Sequence, residues 1–451
     1  MDALRKSGAF WTCVERRSIP KCDFRYTFGQ DTATLLLDKG IMTGDFASYQ
    51  FTFVGVISVR RNIIVVFPKV FNIKDIDAVL IRNLVSTLKK YANSNKLSQD
   101  AVDFFSFDPL EQSASELALA DFIIKDFQIN GLFIRSISTK RDAGIGETSW
   151  GDTIAHQHPF FSRGTPFYNE TINVHIEIQQ NYIITEIHKW AIGYSLNYSA
   201  LLAEEIQQLP FEYIPNLEDL GSPEKLISLI NIELNETFSD RGLRLLQCFR
   251  FLISRYYDLD IEGFSLFGTL RFEYVWEDIC MQIFNSQKKE ILSKIKDKLT
   301  YPLWQFFDSP TVEGDLSIRP DIIIIDEVNN ILYILDAKYY NLQWPLIQGA
   351  PEGASILKQF FYDTYFSNTT GVASVFNAFL LPVGQQQYQL LAKQPKAYVD
   401  GPIILAGNVQ LEFYKDKRVE VIFVSLQIAL QHYINRTKLN GVLDRMNQRQ
   451  I

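Results

Sequence analysis

The sequence predicts a multidomain α/β (α+β) protein, with a β-rich N-terminal region and a C-terminal half in which helices alternate with short apolar runs. Residues 33–71 contain apolar runs interrupted by three glycines, which is typical of strands and turns. From residue 226 onward, segments with helical apolar spacing precede and follow short apolar runs. A length of 451 residues accommodates about three domains. The predicted segments are 1–110, 111–225 and 226–451.

The N-terminal segment has the pattern of a hairpin followed by a helix. The apolar runs "FVGVISV" and "IIVVFPKVF" flank the polar residues Arg60–Asn62, so we predict two paired strands joined by a turn. Residues 76–94 carry apolar side chains at helical spacing and predict a helix, and residues 113–127 predict another. Segment 111–225 is predicted to be mixed α/β and is a candidate for DNA or partner contacts.

In the C-terminal segment the predicted elements follow a definite order. Residues 240–258 and 272–295 each predict one helix, the second of them acidic. Two apolar runs within residues 319–340 predict a hairpin with its turn at Asp326–Asn330. Both runs are apolar on both faces, as expected for central strands of a covered sheet. The remaining predicted elements are a helix at 353–366, a strand at 374–383 and a strand–helix pair at 419–437.

Composition and charge argue against several classes of protein. The net charge of −8 disfavours a generally basic DNA-coating protein, although it is compatible with a local basic groove. The sequence contains no apolar stretch long enough for a membrane span, and its first residues have no apolar signal region. The four cysteines form no CxxC pair, which fits a reducing compartment. We therefore expect a cytoplasmic protein without membrane contacts.

Charged residues occupy one end of the predicted hairpin. Asp321 opens the first apolar run, and Asp336 and Lys338 close the second. Side chains two positions apart on a strand share a face, so Asp336 and Lys338 point the same way. Antiparallel pairing across the turn brings Asp321 and Asp336 to the same end of the hairpin. The sequence therefore predicts two neighbouring carboxylates beside an ammonium group.

Two adjacent ionised carboxylates repel each other unless a proton or a cation relieves the repulsion. Mg²⁺ suits such a site, because it is commonly held by one or two carboxylates together with water and phosphate oxygens. The ammonium group of Lys338 would orient the attacking water or stabilise the negative charge that develops on a phosphate. The alternative is structural, because buried strands often end in Asp and a Lys at a strand end is usually solvated.

The residues Pro320-Asp321 and Asp336-Ala337-Lys338 resemble the signature of the PD-(D/E)xK nuclease superfamily. The order of acidic helix, hairpin, helix and strand also matches the core of that superfamily. The resemblance implies a restriction-endonuclease-like core with a mixed central sheet flanked by helices. It further implies metal ligands at Asp321, Asp336 and the main-chain carbonyl of Ala337, and a catalytic role for Lys338.

The helices on either side of the hairpin carry the other candidates that this resemblance implies. Glu273 and Glu277 lie four positions apart and share a helical face. In the superfamily a helix glutamate often adds to the metal shell; Glu277 is favoured here, Glu273 stays open, and a solvated acidic stripe is the alternative for each. On the helix after the hairpin, Gln359 rather than Lys358 is the candidate for contact with the metal or the DNA backbone. Tyr362 is more typical of a core aromatic.

Longer stretches resemble a narrower family. The segments "RFEYVWEDIC", "ILDAKYY", "LKQFFYDTYF" and "FNAFLLP", with "ETSWGDTIAHQHPFF" upstream, are similar to the LlaJI family of restriction endonucleases. The stretch "FVGVISVRRNIIVVFPKVF" is similar to McrC-type nuclease subunits. These resemblances imply double-stranded DNA as substrate and Mg²⁺ as cofactor, with Mn²⁺ as a substitute. They also imply two protein partners, a McrB-like AAA+ GTPase and a companion DNA methyltransferase.

Nucleotide hydrolysis is expected to come from the partner rather than from this chain. The sequence has no GxxxxGK[ST] motif, so no nucleotide is expected to bind through a P-loop. The predicted N-terminal hairpin is a candidate docking element for the partner. Candidate DNA contacts are basic residues on two predicted helices, although such residues are more often simply solvated. Among them are Arg241, Arg244, Lys288 and Lys289.

The favoured function is that of a Mg²⁺-dependent DNA endonuclease subunit of a restriction system that acts in antiviral defence. One alternative is an assembly factor that mainly stimulates a partner GTPase, with the nuclease site secondary. Another is a nuclease of the same fold that acts on RNA or in DNA repair.

Overall fold

The structure is a computed structural model of the chain. It describes residues 3–59, 62–94, 103–104, 115–142, 146–178, 182–202, 209, 211–257, 264–295, 302–305, 307–308, 310–314, 319–342, 349–414, 417–439 and 441–448. The chain divides into two compact units. Unit 1 comprises Met1–Phe105, Ala200–Ala203 and Ser265–Ile451, and unit 2 comprises Ser106–Ser199 and Glu204–Phe264. The division into three consecutive segments stays a prediction, and residues 226–264 lie in unit 2.

The N-terminal part of unit 1 is rich in strands. Its elements are β1 (Arg5–Ser7), β2 (Phe10–Val14), β3 (Ile19–Pro20), α1 (Lys21–Phe28), α2 (Gln30–Asp38), β4 (Met42–Gly44), β5 (Ser48–Phe51), β6 (Val54–Val59), β7 (Asn62–Phe67), α3 (Ala78–Ser94) and β8 (Asp103–Phe104). The predicted hairpin strands are confirmed, because β6 pairs antiparallel with β7. Its turn residues Arg60 and Arg61 lie outside the described residues.

Unit 2 combines helices with a small antiparallel sheet. Its elements are α4 (Glu116–Asn130), β9 (Ser136–Asp142), β10 (Glu147–Thr148), α5 (Trp150–His156), β11 (Phe160–Ser162), β12 (Thr165–Phe167), β13 (Ile172–Ile178), α6 (Ile183–Ser195), α7 (Leu217–Leu220), α8 (Pro223–Glu236) and α9 (Asp240–Tyr256). Buried side chains from α4, α6, α8 and α9 form its core. The Arg241 guanidinium binds both carboxylate oxygens of Asp126 within this unit, so this candidate DNA contact has a structural partner.

The C-terminal part of unit 1 contains the predicted hairpin. Its elements are β14 (Phe264–Thr269), α10 (Phe272–Ile283), α11 (Lys288–Lys294), β15 (Leu303–Trp304), β16 (Val312–Glu313), β17 (Ile322–Asp326), β18 (Ile331–Ala337), α12 (Gly353–Thr370), β19 (Ser374–Val383), α13 (Gln385–Ala392), β20 (Tyr398–Asp400), β21 (Ile403–Val409), β22 (Val419–Ser425), α14 (Leu426–Ile434) and α15 (Val442–Asn447). The hairpin, the helix after it and the closing strand–helix pair are therefore confirmed.

Two six-stranded sheets organise unit 1. The first, the N-terminal sheet, has the order β1-β2-β7-β6-β14-β8, so β14 completes a sheet built mainly from the N-terminal part. Gly55 on β6 and Gly268 on β14 face each other so closely that a Cβ on either would overlap the backbone of the other strand. Both glycines have positive φ, which other residues rarely adopt.

The second sheet carries the predicted hairpin and has the order β17-β18-β19-β22-β21-β20. The pair β17–β18 is antiparallel, whereas β18–β19 and β19–β22 are parallel, so the sheet is mixed as expected. Helix α12 connects the parallel strands β18 and β19. The carboxyl end of β18 therefore lies beside β19, close to the helices that flank the sheet.

Two expectations about this region are wrong. Residues 272–295 form two helices, α10 and α11, because Asn285 between them adopts a left-handed backbone conformation with φ of 56°. Strand β17 is an edge strand rather than a central one. Its apolar character has another cause, since Ile291 and Ile295 at the α11 side pack in one core cluster with Ile323 of β17.

Candidate active site

The end of the β17–β18 hairpin brings the two predicted aspartates together. Ile322 pairs with Leu335, so the next residues along the two strands, Asp321 and Asp336, face each other across the hairpin. The main-chain N–H of Ala337 donates a hydrogen bond of 2.8 Å to Oδ2 of Asp321. This bond fixes Asp321 to the end of β18, although Asp321 itself precedes the strand.

Asp336 and Lys338 form the closest charged contact at this site. Nζ of Lys338 lies 2.6 Å from Oδ2 of Asp336, whose side chain is 1% exposed, while that of Lys338 is 19% exposed. The contact between Nζ of Lys338 and Oδ2 of Asp336 is an ion pair that lacks the geometry of a regular hydrogen bond. Oδ1 of Asp336 has no partner among the described residues. A buried carboxylate oxygen without a partner is costly, so Oδ1 of Asp336 would be stabilised by a further positive or hydrogen-bonding group.

Glu277 on α10 is the third carboxylate of the site. Burial raises its pKa, and the negative charge of Asp336 raises it further, whereas Lys338 and Lys288 act in the opposite direction. Glu273, one turn earlier, acts electrostatically on Glu277 and also on Lys69, just beyond β7. The charge of Glu277 also acts on Asp321, so Glu277 is the favoured helix glutamate, and which of the two joins a metal shell stays a prediction.

The electrostatics of Asp321 reflect this crowding of carboxylates. Burial, followed by the charges of Asp336 and Glu277, raises the pKa of Asp321 to about 8. The hydrogen bond from Ala337 and the charge of Lys338 only partly offset these effects. This crowding of negative charge therefore favours the protonated form of Asp321 when no cation is bound.

We expect the metal-free protein to lose stability as the pH rises from about 4 to about 8. Because the folded pKa of Asp321 lies above the value of 3.8 of an unperturbed carboxyl, its contribution is full below that value and is lost as the pH passes about 8. Asp321→Asn keeps an oxygen for the Ala337 N–H and cannot ionise. The variant should be more stable by about 1–3 kcal/mol near the upper end of this range.

Urea unfolding in EDTA across that pH range measures this difference. The two proteins should have similar stability at the acidic end and diverge as the pH rises. A pH profile of wild-type stability that runs parallel to that of Asp321→Asn would contradict the crowded arrangement of carboxylates.

Gln359 is buried against the sheet on α12. Its side-chain Nε2 donates to the main-chain carbonyl of Ala378 at 3.3 Å. The main-chain carbonyl of Gln359 accepts a hydrogen bond of 2.9 Å from Nδ2 of Asn377. Its Oε1 is buried without a hydrogen-bond partner among the described residues. The side-chain N–H group of Gln359 thus joins α12 to β19. Contact of Gln359 with metal or DNA stays a prediction, and it concerns the Oε1 atom alone.

A basic border, made of Lys288, Arg319 and Lys358, interacts electrostatically with the carboxylates or with one another. Lys288 at the start of α11 is half-buried, and burial lowers its pKa while Asp321 and Glu277 oppose that effect. Arg319 and Lys358 add positive charge near Lys288. Arg319 is not among the DNA contacts predicted from the sequence, although its position directly before Pro320-Asp321 indicates that it lies near the aspartates.

Tyr362 links this basic border to the core. Its hydroxyl accepts a hydrogen bond of 3.3 Å from the main-chain N–H of Arg319. Nζ of Lys358 lies 5.3 Å from the centre of the same ring. The ring itself is buried with Ile323 and Phe366, so the expectation of a core aromatic is confirmed.

The donor set suits a hard divalent cation. Among the described residues, no three His, Cys, Asp or Glu side chains stand in metal-ligating geometry. Mg²⁺ needs no such cage, because water and substrate phosphate commonly complete its shell around one or two carboxylates. Oδ1 of Asp336 has no partner among the described residues, and crowding of negative charge raises the pKa of Asp321, so further positive charge would stabilise both carboxylates. Asp321 and Asp336 are therefore suitable ligands for Mg²⁺.

Cys13, Cys248 and Cys280 are buried, and Cys22 is exposed. His156 ends α5 at the surface. Of the helices within the described ranges, none is both long and apolar enough to cross a membrane.

The family model and the relative that match this chain both describe restriction enzymes. The family model described as LlaJI restriction endonuclease matches residues 53–426. The chain is similar to the "Type II restriction enzyme BsuMI component YdjA" of Bacillus subtilis (strain 168), with 28% identity over 418 residues, covering 89% of this chain and 85% of the relative.

Solved structures show more distant likenesses. One is a chain from the assembly of Thermococcus gammatolerans McrB AAA+ hexamers with bound McrC, with a TM-score of 0.36, 12% identity and coverage of 94% of this chain and 98% of that chain. Another is from the McrBC complex of the same organism, with a TM-score of 0.25, 12% identity and coverage of 64% and 88%. Likenesses this distant do not define the fold or the function of this chain.

Proposed function

Because this chain belongs to the LlaJI restriction endonuclease family, we propose that it is a Mg²⁺-dependent endonuclease subunit that hydrolyses DNA phosphodiester bonds at the end of the β17–β18 hairpin. The observation that carries the proposal is the buried carboxylate of Asp336, which forms an ion pair with Lys338, lies opposite Asp321 and has no partner among the described residues for its Oδ1. Buried carboxylates that face each other beside an ammonium group are typical of functional sites.

The arrangement of elements supports a PD-(D/E)xK core. Helix α10 carries Glu277, the β17–β18 hairpin carries the aspartates and Lys338, and α12 leads into the parallel strand β19. This is the order that the superfamily resemblance implies. We therefore assign the core to residues 272–425, from α10 to β22.

Asp321 and Asp336, with the main-chain carbonyl of Ala337, would hold the cation, and Glu277 would bind water around it. When bound, the cation places positive charge beside the scissile phosphate and makes water a stronger acid. Lys338 keeps a fixed positive charge at the position where the phosphate becomes more negative, and its ammonium group orients the attacking water. Its pairing with Asp336 holds the ammonium group in place for both tasks.

The basic border supplies the DNA contacts of the proposed site. The charges of Lys288 and Lys358 interact with those of the aspartates, and Arg319 acts on Lys288, so these three side chains would bind phosphates next to the scissile bond. Water attacks phosphorus, the bond to the leaving sugar oxygen breaks, and that oxygen takes up a proton. These three side chains keep the negatively charged backbone beside Asp321 and Asp336 during the reaction.

We further propose that the subunit acts with other proteins of a restriction system. The Bacillus relative is described as a component of a restriction enzyme, and this sequence has no P-loop motif. A separate AAA+ GTPase would supply nucleotide hydrolysis, and a companion methyltransferase would protect host DNA.

Plasmid DNA incubated with the purified chain tests the proposal. We expect nicking or linearisation with Mg²⁺ and none in EDTA, and Mn²⁺ should replace Mg²⁺. Adding the co-encoded GTPase and GTP should increase the rate. Cleavage that persists undiminished in EDTA would contradict the metal-dependent mechanism, and the absence of cleavage under every condition would contradict the nuclease assignment.

A further inference from the structure

Tyr339, the residue after Lys338, is anchored in the N-terminal part of unit 1. Its hydroxyl donates a hydrogen bond of 2.5 Å to Oε2 of Glu15, which directly follows β2. The same hydroxyl oxygen accepts a hydrogen bond of 3.0 Å from the main-chain N–H of Lys69, just beyond β7. The chain segment that ends the catalytic strand β18 is therefore tied to the ends of two strands of the N-terminal sheet.

The carboxylate of Glu15 is buried, and it is hydrogen-bonded to both the Tyr339 hydroxyl and the Lys69 main-chain N–H. Glu15 is 6% exposed and Tyr339 is 7% exposed. Nζ of Lys69 lies 4.0 Å from the centre of the Tyr339 ring, and the Lys69 N–H also reaches Oε2 of Glu15 at 3.3 Å. A buried carboxylate that loses a hydrogen-bond donor is costly, so Glu15 holds the Tyr339 hydroxyl firmly.

Neighbouring contacts extend this attachment along the segment after β7. Nδ2 of Asn341 donates to the carbonyl of Lys69 at 3.4 Å. Gln386 at the start of α13 accepts from Asn72 at 3.0 Å and donates to Asp75 at 3.2 Å. The contact at Tyr339 thus belongs to a continuous patch within unit 1 and is not an isolated hydrogen bond.

The main chain around Lys338 is fixed from the opposite side by β19. The N–H of Lys338 donates to the carbonyl of Leu380 at 2.9 Å, and that carbonyl also accepts from Nε1 of Trp276 at 3.3 Å. The N–H of Tyr340 donates to the carbonyl of Lys338 at 3.0 Å, so the chain turns tightly with Tyr339 at its centre. The backbone position of Lys338 is therefore set by its hydrogen bond to β19 and by the anchored residue that follows it, Tyr339.

We propose that Tyr339 is a positioning residue for Lys338, and that Glu15 and Lys69 of the N-terminal part hold it in place, so that cleavage depends on this contact. The inference rests on the proposed nuclease function of the Lys338 site. It adds that the N-terminal sheet helps to build the active site. A shift of about 1 Å in a positioned group can lower a rate by about 100-fold, so a loosened turn is expected to affect the chemical step.

Tyr339→Phe should lower kcat for DNA cleavage by about 10- to 100-fold and leave KM within about twofold. The variant removes the hydroxyl but keeps the ring, which packs 5.1 Å from the ring of Phe272. Tyr340→Phe is the matched control, because no hydrogen bond from its hydroxyl joins it to the described residues. It should cleave at the wild-type rate.

Variants at Glu15 test the same link from the other end. Glu15→Gln keeps an oxygen acceptor for the Tyr339 hydroxyl and should cleave within about threefold of wild type, whereas Glu15→Leu should resemble Tyr339→Phe. The double variant Glu15→Leu/Tyr339→Phe should be no slower than either single variant, because both break one contact.

Single-turnover cleavage at several DNA concentrations separates kcat from KM for all these proteins, and thermal unfolding confirms that each is folded at the assay temperature. Equal kcat for Tyr339→Phe and wild type, with Lys338→Met inactive, would overturn the positioning role and leave the proposed function intact. A loss confined to KM would also overturn it. A wild-type protein that does not cleave would contradict the proposed function itself and, with it, this inference.

Discussion

Lys338→Met is expected to lower the rate of DNA cleavage on the order of 1,000-fold, because it removes a fixed positive charge from the position where the phosphate becomes more negative. The methionine side chain retains similar bulk, and Lys338 is not part of the apolar core clusters, so the fold should persist. DNA affinity should change by less than about threefold, since the bordering cations Lys288, Arg319 and Lys358 remain.

Lys393→Met is the matched control for this substitution. Lys393 is an exposed lysine just after α13, so its replacement changes the net charge equally without touching the carboxylates. Single-turnover cleavage and DNA-binding titrations of both variants measure the effect. Unchanged cleavage by Lys338→Met, or an equal loss in Lys393→Met, would contradict the assignment of Lys338.

Much of the candidate site follows from local sequence patterns. Alternation along a strand and a short turn are sufficient to predict that Asp321 and Asp336 meet and that Lys338 lies beside Asp336. The helical spacing of Glu273 and Glu277 predicts a shared face, but it does not determine which residue points toward the hairpin. In the folded chain Asp336 raises the pKa of Glu277, and Glu273 raises the pKa of Tyr339, effects that depend on how α10 packs and not on helical spacing.

The features that escaped prediction depend on contacts distant in sequence. The apolar run of β17 looks like a central strand, because the pattern does not reveal that α11 covers an edge strand. The left-handed Asn285 splits a region whose apolar spacing suits one helix. The pairing of β14 with the N-terminal sheet and the bond between Glu15 and Tyr339 join residues more than 150 positions apart, where local periodicity carries no information.

Asp336→Asn should abolish cleavage as fully as Lys338→Met, because it removes the charge of the buried carboxylate that the cation requires. Loss of a ligand of this kind should weaken cation binding by at least about 100-fold. The amide is nearly isosteric with the carboxylate, so far-UV circular dichroism should be unchanged. Asp326→Asn is a suitable control, since Asp326 lies in the same hairpin at its opposite end and is partly exposed.

Mn²⁺ titration followed by electron paramagnetic resonance tests the cation site most directly. The measurement compares Lys338→Met with Lys338→Met/Asp336→Asn in the presence of duplex DNA, so that the DNA remains uncut during the titration. We expect saturable Mn²⁺ binding to the single variant and its loss in the double variant. Equal Mn²⁺ binding by both proteins would contradict the claim that the aspartates at the end of the β17–β18 hairpin hold the catalytic cation.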